Sequence, residues 1–283
     1  VSPHIAENPM LPFQLTGRGI RFAGPSHYAL ALASDKIEMR QIAQEAGVPL
    51  MPGAYAPTLD NAINFAGEVG YPIMLKEATN GGGRGTRKTD NEGELRDAFS
   101  SFMSKSNASN DYGSTLESLV ARRANGIPTN RLFVEKALQD RRHIEVQFLV
   151  DGMGNIYCFG TRDCSEQRNF QKMIELAPAD ISRELEQRLI EDGVKIINGI
   201  TAKSSKLAFN DGQFLPIPYR GAITVEYIVD SKGNHYFIET NGRYQVEAAV
   251  SIMSTAENLI RHRWEVANGK ALKMDNGEHV KIF

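Results

Sequence analysis

The sequence predicts an α+β protein with antiparallel sheets. Two pairs of short segments with alternating polarity are each joined by a turn, as in antiparallel hairpins: 143–150 with 155–160, and 222–230 with 235–241. Segments with helical periodicity stand apart from these hairpins instead of following each strand. This order argues against a parallel sheet in which strands and helices alternate.

Length and composition are those of a globular protein of about two domains. The chain has 283 residues, of which 41% are hydrophobic and 23% charged. Its 32 Lys and Arg residues against 34 Asp and Glu residues give a net charge of −2, which does not favour binding to nucleic acid or to an anionic membrane. Two cysteines are too few for a disulfide scaffold or a zinc site, so we expect a reducing, cytoplasmic environment.

The helices and strands are predicted in the following order. Asp35 begins a helix that Gly47 ends, Thr58 caps a second helix that ends at Gly70, and Ser182 caps a long helix that reaches about residue 198. A further helix is predicted at 92–103, strands at 71–76 and 131–136, and irregular stretches at 104–114 and 202–218. We expect Cys164 to be a buried, inert thiol, His235 to be solvated beside a turn, and Trp264 to be a packed residue of a helix.

A glycine-rich loop follows the strand that ends near Lys76. It contains Gly81, Gly82, Gly83, Arg84 and Gly85. Glycines let backbone N–H groups approach an anion, and the basic side chains favour phosphate binding by a flap over a nucleotide. The spacing is not that of a Walker A motif. A flexible hairpin tip is the alternative interpretation.

Two glutamates are predicted to face each other in the last hairpin. If Asp230 lies opposite His235, then Glu226 lies opposite Glu239, and Asn241 projects from the same face. Neighbouring carboxylates repel, and two carboxylates with an amide oxygen suit Mg²⁺. The alternative is a pair of solvated glutamates, because a slip of one residue would separate them.

The hexapeptide 242–247 follows this hairpin directly. Arg243 and Gln245 offer donors for a small oxyanion, and Glu247 offers a base beside them. On its own, this segment is equally typical of a polar loop.

Together these residues resemble the ATP-grasp core of biotin carboxylase, over about residues 19–268. The resemblance rests on short motifs in a fixed order: Gly24-Pro25-Ser26, Asp35-Lys36, Lys76 with the glycine loop, Glu135-Lys136, Arg142 to Gln147, Arg162 to Ser165, Gln171-Lys172, Glu175, Ala177-Pro178, Phe237 to Asn241 and Arg243 to Glu247. The fold it implies has a glycine-rich lid and an antiparallel C-terminal lobe. The resemblance implies three parts. Residues 1–50 would be the end of an N-terminal domain, residues 51–137 the lid, and residues 138–283 the C-terminal lobe.

The resemblance also implies roles. MgATP, with Mn²⁺ as the alternative metal, would activate bicarbonate to carboxyphosphate, and CO₂ would pass to biotin on a carrier. Phosphates would contact Lys36, Lys76 and the glycine loop, and the nucleotide would lie near Glu135, Lys136, Leu138, His143 and Gln167. Glu226, Glu239 and Asn241 would hold the metal. Bicarbonate would lie near Lys172, Arg243, Gln245 and Val246, with Glu247 as the base.

Several positions depart from the family pattern. Thr161 stands where a glutamate is usual, Asn169 and Phe170 stand where an arginine and a histidine are usual, and Ala248-Ala249 replaces His-Pro. Asn80 and Ile252 also differ. We expect Phe170 to reshape nucleotide contacts and the two alanines to loosen the loop that aims Glu247.

The chain lacks an initiator Met and is expected to be a piece of a longer carboxylase. The resemblance implies a biotin carboxyl carrier domain and a carboxyltransferase as partners, acetyl-CoA or another acyl-CoA or pyruvate as the acceptor, and a homodimer. It also implies a cytoplasmic protein, or an organellar one in a eukaryote. The alternatives are an ATP-grasp ligase of the carbamoyl-phosphate synthetase type and a catalytically impaired nucleotide-binding module.

Overall fold

A computed structural model of the chain describes residues 3–78, 85–108, 132–210 and 218–272. The predicted α+β class is confirmed, since the described residues form two four-stranded sheets, a small hairpin and flanking helices. Every strand pairing within the three sheets is antiparallel. Among the described residues, no helix combines the length and apolar character needed to cross a bilayer.

Four helices precede the first sheet: α1 (Pro3–Ala6), α2 (Met10–Gly17), α3 (His27–Ala33) and α4 (Lys36–Glu45). Asp35 caps α4 as predicted, because its carboxylate accepts the backbone N–H groups of Ile37 and Glu38. This cap places Lys36 at the first residue of the helix.

The first sheet has the strand order β1-β4-β2-β3. Its strands are β1 (Gly53–Tyr55), β2 (Ile73–Glu77), β3 (Thr86–Thr89) and β4 (Leu132–Lys136). Helices α5 (Leu59–Val69) and α6 (Glu92–Ala108) bury a separate apolar core against it. Thr58 caps α5, as predicted from the sequence. The end of α6 lies five residues beyond the predicted helix, so the stretch 104–108 is helical and not irregular.

The second sheet has the order β10-β9-β5-β6. Its strands are β5 (Arg141–Asp151), β6 (Ile156–Asp163), β9 (Arg220–Asp230) and β10 (His235–Asn241). A two-stranded hairpin, β7 (Gln167–Arg168) with β8 (Gln171–Lys172), follows β6. One face of this second sheet buries the main apolar core with α3, α4 and α7 (Arg183–Asn210). The other face carries polar side chains, and α8 (Ala248–Thr255) and α9 (Leu259–Ala267) cover part of it.

Helix α7 is longer than the sequence predicted. The prediction ended it near residue 198 and treated 202–218 as irregular, but the helix continues to Asn210. Its two internal glycines are packing positions and not helix ends. A Cβ on Gly193 would lie 2.5 Å from two ring atoms of Phe148, and a Cβ on Gly199 would lie 2.5 Å from Cγ2 of Ile42.

The hairpin of β9 and β10 confirms the predicted pairing of Glu226 with Glu239, but one premise was wrong. At the tip, His235 pairs with Val229 and not with Asp230. The backbone N–H of Asp230 instead donates to the carbonyl of Asn234, so the turn is one residue shorter than predicted. An extra residue, Ile238, bulges between Phe237 and Glu239 and restores the predicted register. The bulge also lets Phe237 face the core while Glu239 faces the opposite side.

Two other expectations were wrong. His235 is buried, 7% exposed, and its Nε2 lies 2.8 Å from Oδ2 of Asp192 on α7. Trp264 lies on helix α9 as expected, but it is 64% exposed and not a packed residue. The expected buried state of Cys164 is confirmed, and burial raises the pKa of its thiol.

Candidate active site

A cleft of about 380 Å³ is lined by both large sheets and by the loop after β10. This is within the range of small-molecule sites, about 300–1,000 Å³. It brings together fifteen of the residues predicted from the sequence: Lys36, Lys76, Glu135, Lys136, Leu138, His143, Gln167, Lys172, Glu226, Glu239, Asn241, Arg243, Gln245, Val246 and Glu247. Gly85 is described beside the cleft, where its carbonyl accepts the backbone N–H of Glu77. The predicted phosphate-binding residues Gly81, Gly82, Gly83 and Arg84 lie outside the described residues.

A row of four charged residues crosses the second sheet, and two of them, Glu226 and Glu239, line the cleft. Strand register places Arg162 opposite Glu145, Glu145 opposite Glu226, and Glu226 opposite Glu239. Three adjacent carboxylates on one face would repel one another. Cations from other elements must therefore compensate them.

Lys172 supplies the largest part of this compensation. Its ammonium lies 2.7 Å from Oε1 of Glu247 and 3.4 Å from Oε1 of Glu226, and it also pairs with Glu145. Burial alone would lower the pKa of Lys172, but Glu226, Glu145 and Glu247 outweigh burial and raise that pKa above its ordinary value. The hairpin of β7 and β8 thus holds one permanent positive charge among three carboxylates.

The two predicted metal carboxylates are both held in the ionised form. Burial alone would raise the pKa of each, but Lys172 and His143 hold the pKa of Glu226 below its usual value, and Lys36 does the same for Glu239. The Lys36 ammonium lies 3.0 Å from Oε2 of Glu239, which fixes the start of α4 against β10. The buried carboxylate of Glu226 and the partly buried carboxylate of Glu239 supply the oxygen ligands that Mg²⁺ prefers.

The third predicted metal ligand presents its nitrogen in this structure. Asn241 Nδ2 donates to Oε1 of Glu226 at 2.6 Å, and Asn241 Oδ1 accepts from Nη2 of Arg243 at 3.3 Å. The donor set fits a divalent cation through Glu226 and Glu239, while a ligand role for Asn241 requires its amide to turn over.

His143 and Gln167 lie on the same face as Glu226. His143 Nε2 lies 2.8 Å from Oε2 of Glu226, and Gln167 Nε2 lies 2.7 Å from Nδ1 of the ring. Burial alone would lower the pKa of His143, but the hydrogen bond and charge of Glu226 raise it. The pair therefore reinforces the negative charge state of Glu226.

The first sheet contributes Lys76, Glu135 and Lys136. The Lys76 ammonium forms a buried ion pair with Glu135, which also accepts from Nη1 of Arg40 at 3.2 Å. Lys136 donates to the carbonyls of Gly70 and Tyr71, so its side chain is engaged at the edge of the sheet. In this arrangement Glu135 is engaged with Lys76 and Arg40, while Leu138 lines the cleft beside them.

The loop after β10 is tied to distant parts of the chain. Arg243 Nε donates to Oε1 of Glu7 at 2.8 Å, and Gln245 Nε2 donates to Oε1 of Glu226 at 3.3 Å. Val246 is 90% exposed, while Glu247 is held by Lys172. The predicted anion donors Arg243 and Gln245 and the predicted base Glu247 therefore lie next to the predicted metal ligands.

Sequence reasoning missed three functional neighbours: Glu7, Glu145 and Arg162. Glu7 precedes the region of resemblance, so no signal in the sequence pointed to it. Glu145 was placed on the polar face of a strand, and its complete burial was the missing signal. Arg162 was a motif residue without a role, although a buried arginine always requires partners.

The departures from the family pattern fall on both sides of the sheet. Thr161 is buried, accepts the backbone N–H of Ala179 at 3.2 Å and lies 3.3 Å from Glu186, so it lies on the core side, away from the cleft. Phe170 lines the cleft. Ala248 is fully buried in the apolar cluster beneath α9.

Comparison with known proteins agrees with this geometry. The family profile described as "Carbamoyl-phosphate synthase L chain, ATP binding domain" matches residues 35–210 and 213–275. Pyruvate carboxylase 1 of Caenorhabditis elegans is 41% identical over 256 residues, which cover 90% of this chain and 19% of that protein. The propionyl-CoA carboxylase alpha chain of Ruegeria pomeroyi is 34% identical over 281 residues, which cover 98% of this chain and 36% of that protein.

Two solved structures share the fold. A biotin carboxylase–β,γ-ATP complex from Campylobacter jejuni has a TM-score of 0.78 and 36% identity, over 95% of this chain and 54% of that one. The biotin carboxylase domain dimer of 2-oxoglutarate carboxylase from Hydrogenobacter thermophilus, in complex with MgADP, ADP and bicarbonate, has a TM-score of 0.77 and 32% identity, over 97% of this chain and 54% of that one. The chain therefore belongs to the carbamoyl-phosphate synthase L chain ATP-binding domain family, as an ATP-grasp core of the biotin carboxylase type.

Proposed function

We propose that the chain catalyses the ATP-dependent activation of bicarbonate for the carboxylation of biotin. The observation that carries the proposal is Lys172, which joins the predicted metal carboxylate Glu226 to the predicted base Glu247 within one cleft. Phosphoryl transfer depends mostly on positioning and on charge neutralisation, and both are provided at this point.

The residues divide into a nucleotide group and an anion group. Met51, Met74 and Leu138 line the cleft with Lys36 and Lys76, which suits a base and its phosphates. Arg243 and Gln245 place donors where a bicarbonate oxygen would lie. Glu226 and Glu239 lie beside both groups and would hold Mg²⁺, which supplies charge neutralisation at the phosphates. The MgADP and bicarbonate in the Hydrogenobacter thermophilus complex support a magnesium nucleotide and bicarbonate as the ligands.

The proposed reaction proceeds by two bond exchanges. A bicarbonate oxygen bonds to the γ-phosphorus of ATP, the bond from that phosphorus to the β–γ bridging oxygen breaks, and ADP leaves. Glu247 accepts the bicarbonate proton, and Lys172 and Arg243 stabilise the negative charge that develops. The bond between the carboxyl carbon and the phosphoryl oxygen of carboxyphosphate then breaks, which gives phosphate and CO₂. The CO₂ carbon bonds to the ureido nitrogen of biotin, and the proton of that nitrogen passes to the released phosphate.

The assembly around the chain is part of the proposal. We infer a biotin carboxyl carrier domain and a carboxyltransferase as partners, because the relatives are pyruvate and propionyl-CoA carboxylases that extend well beyond the matched region. Pyruvate or an acyl-CoA is the inferred acceptor. The domain dimer of the Hydrogenobacter thermophilus protein supports a homodimer. We infer a cytoplasmic or, in a eukaryote, a mitochondrial location, and the mitochondrial pyruvate carboxylase of Homo sapiens, 39% identical, supports the second.

The test compares wild type with Glu247→Gln, which keeps the shape of the side chain but removes the base. MgATP binding is measured by calorimetry, and ADP release is measured with and without bicarbonate. We expect bicarbonate to stimulate ADP release by the wild type, and we expect the variant to bind MgATP without that stimulation. Glu265→Gln on α9, whose carboxylate pairs with Arg261, is the matched control.

Two results would contradict the proposal in different ways. A folded wild type that binds MgATP without bicarbonate stimulation would favour another ATP-grasp reaction or a nucleotide-binding module. A folded wild type that binds no MgATP would exclude a functional nucleotide site in this chain.

A further inference from the structure

Arg162 lies behind the proposed anion site and has no solvent exposure. Its guanidinium makes side-chain hydrogen bonds to five residues: Glu145, Gln147, Thr224, Gln245 and Ser251. These partners belong to β5, β9, α8 and the loop between β10 and α8. A buried arginine with this many partners fixes them relative to one another, because each lost bond would leave a polar group unsatisfied in the interior.

The contact with Gln245 determines which end of its amide faces the cleft. Arg162 Nη2 donates to Oε1 of Gln245 at 3.2 Å. An arginine has only donors, so it donates to the oxygen end of the amide and excludes the nitrogen end. Gln245 Nε2 is consequently turned towards Glu226 and the cleft. An oxyanion there meets an N–H donor and not a carbonyl oxygen.

The contact with Glu145 acts on Lys172. Arg162 Nη2 lies 2.9 Å from Oε2 of Glu145, and the other oxygen of this carboxylate pairs with the Lys172 ammonium. Glu145 is fully buried, so its orientation is set by these two cations. Arg162 therefore contacts Gln245 directly and reaches Lys172 through Glu145.

The contact with Ser251 holds the loop that carries Arg243, Gln245 and Glu247. Ser251 lies on the first turn of α8, and its hydroxyl accepts from Nη1 of Arg162 at 2.8 Å. The Arg162–Ser251 bond ties the helix after the loop to the end of β6.

We propose that Arg162 is a positioning residue for bicarbonate, which fixes the amide of Gln245 with its N–H group facing the anion and aligns Lys172 through Glu145. This inference deepens the proposed function and rests on it for the identity of the anion. The orientation of the Gln245 amide is a separate statement that does not depend on any turnover.

The experiment uses Arg162→Lys, which keeps the charge but removes the planar fork that reaches several partners. Ser251→Ala is a milder variant that removes one anchor, and thermal unfolding checks that each variant folds. Arg142→Lys is the matched control, because Arg142 lies on the neighbouring strand, pairs with Asp163 and is not among the residues that line the cleft. The two readouts are the side-chain amide signal of Gln245 by ¹⁵N NMR, assigned by its loss in Gln245→Ala, and the KM values for bicarbonate and ATP.

We expect Arg162→Lys to shift the Gln245 amide signal and to raise the KM for bicarbonate on the order of tenfold, with the KM for ATP little changed. Ser251→Ala should change both readouts in the same direction by less, and Arg142→Lys should change neither. Combining Arg162→Lys with Gln245→Ala should add less than the sum of the two effects.

The possible failures are distinguishable. An unchanged Gln245 signal in folded Arg162→Lys and Ser251→Ala would overturn the inference. Equal rises in the KM for bicarbonate and for ATP would also overturn it, since they would indicate a general structural role. A shifted signal in a chain whose wild type shows no bicarbonate dependence would overturn the proposed function and leave the orienting role of Arg162 in place.

Discussion

The ammonium of Lys172 lies 2.7 Å from the carboxylate of Glu247, although the two residues come from different sides of the cleft. Lys172 belongs to the short hairpin after β6, whereas Glu247 ends the loop after β10. The ion pair joins these two segments at the point where the proposed base must act. It also holds Glu247 at the wall of the cleft.

Replacing Lys172 by methionine should impair stability and turnover together. Breaking a buried ion pair costs about 3–5 kcal/mol, and here the loss leaves Glu145, Glu226 and Glu247 without their shared cation. We expect the bicarbonate-dependent rate to fall about 100-fold or more. Urea unfolding and ADP release measure the two effects, and Lys88→Met, in an exposed pair with Asp90, is the control. Unchanged bicarbonate dependence in the Lys172 variant would remove Lys172 from the proposed site.

Replacing Glu239 by glutamine should remove the Mg²⁺-dependent part of ATP binding. The variant keeps the size of the side chain but loses one of two facing carboxylates, so we expect affinity for MgATP to fall at least about tenfold, or 1.4 kcal/mol. Calorimetric titration of ATP with and without Mg²⁺ measures the difference. Glu38→Gln, in a surface pair with Lys203, should behave as wild type. Equal Mg²⁺ dependence in wild type and Glu239→Gln would place the metal elsewhere.

Asp192 should make the stability of the chain sensitive to acid. Burial alone would raise the pKa of Asp192, but hydrogen bonds from His235 and Lys195 hold it below the ordinary value of 3.8. The unfolded chain therefore binds more protons than the folded chain near and below this pH. The contribution is fully present above pH 3.8 and is lost as pH falls through the lower folded pKa. Urea unfolding between about pH 3 and pH 7 measures the free energy of unfolding. We expect this free energy to fall less steeply with acid in Asp192→Asn than in the wild type, and an equally steep fall would contradict the assignment.

Two glycines in helices should respond to alanine with opposite signs. In α7, a Cβ on Gly193 would overlap the buried ring of Phe148, so Gly193→Ala should destabilise by about 1–3 kcal/mol. In α5, a Cβ on Gly67 would meet no described atom within 4 Å, so Gly67→Ala should stabilise by about 0.5–1 kcal/mol. Thermal unfolding of both variants measures the signs. A stabilised Gly193→Ala would mean that α7 and β5 are less tightly packed than described.

Glu7 should influence the bicarbonate site through Arg243. The Glu7 carboxylate accepts from Nε of Arg243, which leaves the far edge of the guanidinium for Asn241 and for an anion. Glu7→Ala should raise the KM for bicarbonate by about five- to tenfold, and Glu7→Gln, which keeps an acceptor, should restore most of the loss. Steady-state kinetics at varied bicarbonate gives the comparison. An equal loss in both variants would show that charge, and not the hydrogen bond, is what matters at Glu7.

The sequence was sufficient to predict features that depend on local patterns. Caps such as Asp35 and Thr58 mark helix starts because they satisfy nearby N–H groups, and alternation marks the hairpins. The pairing of Glu226 with Glu239 was also predicted correctly. Its derivation contained two compensating errors, a turn of the wrong length and an unseen bulge at Ile238.

Features that depend on distant contacts were not predictable in the same way. Helix α7 was predicted to end near residue 198, next to Gly199, and the packing of Gly199 against Ile42 is not visible in the sequence. His235 beside a turn looks solvated until Asp192 on α7 is placed against it. Arg162 acquires a role only when five partners from separate segments converge on it.

The bulge at Ile238 has a consequence for how this hairpin tolerates change. Turn length normally sets the register of a whole hairpin, so an insertion at the tip would turn a cleft residue into a core residue. Here eleven residue pairs fix β9 to β5. The bulge lies between the turn and Glu239, so the pairing of Glu239 with Glu226 is set after the bulge and not by the turn. We therefore expect loops of other lengths between Asp230 and Asn234 to leave the Glu226–Glu239 pair in place. The tip is for this reason a suitable point at which to insert a fluorescent or affinity tag into an otherwise intact protein.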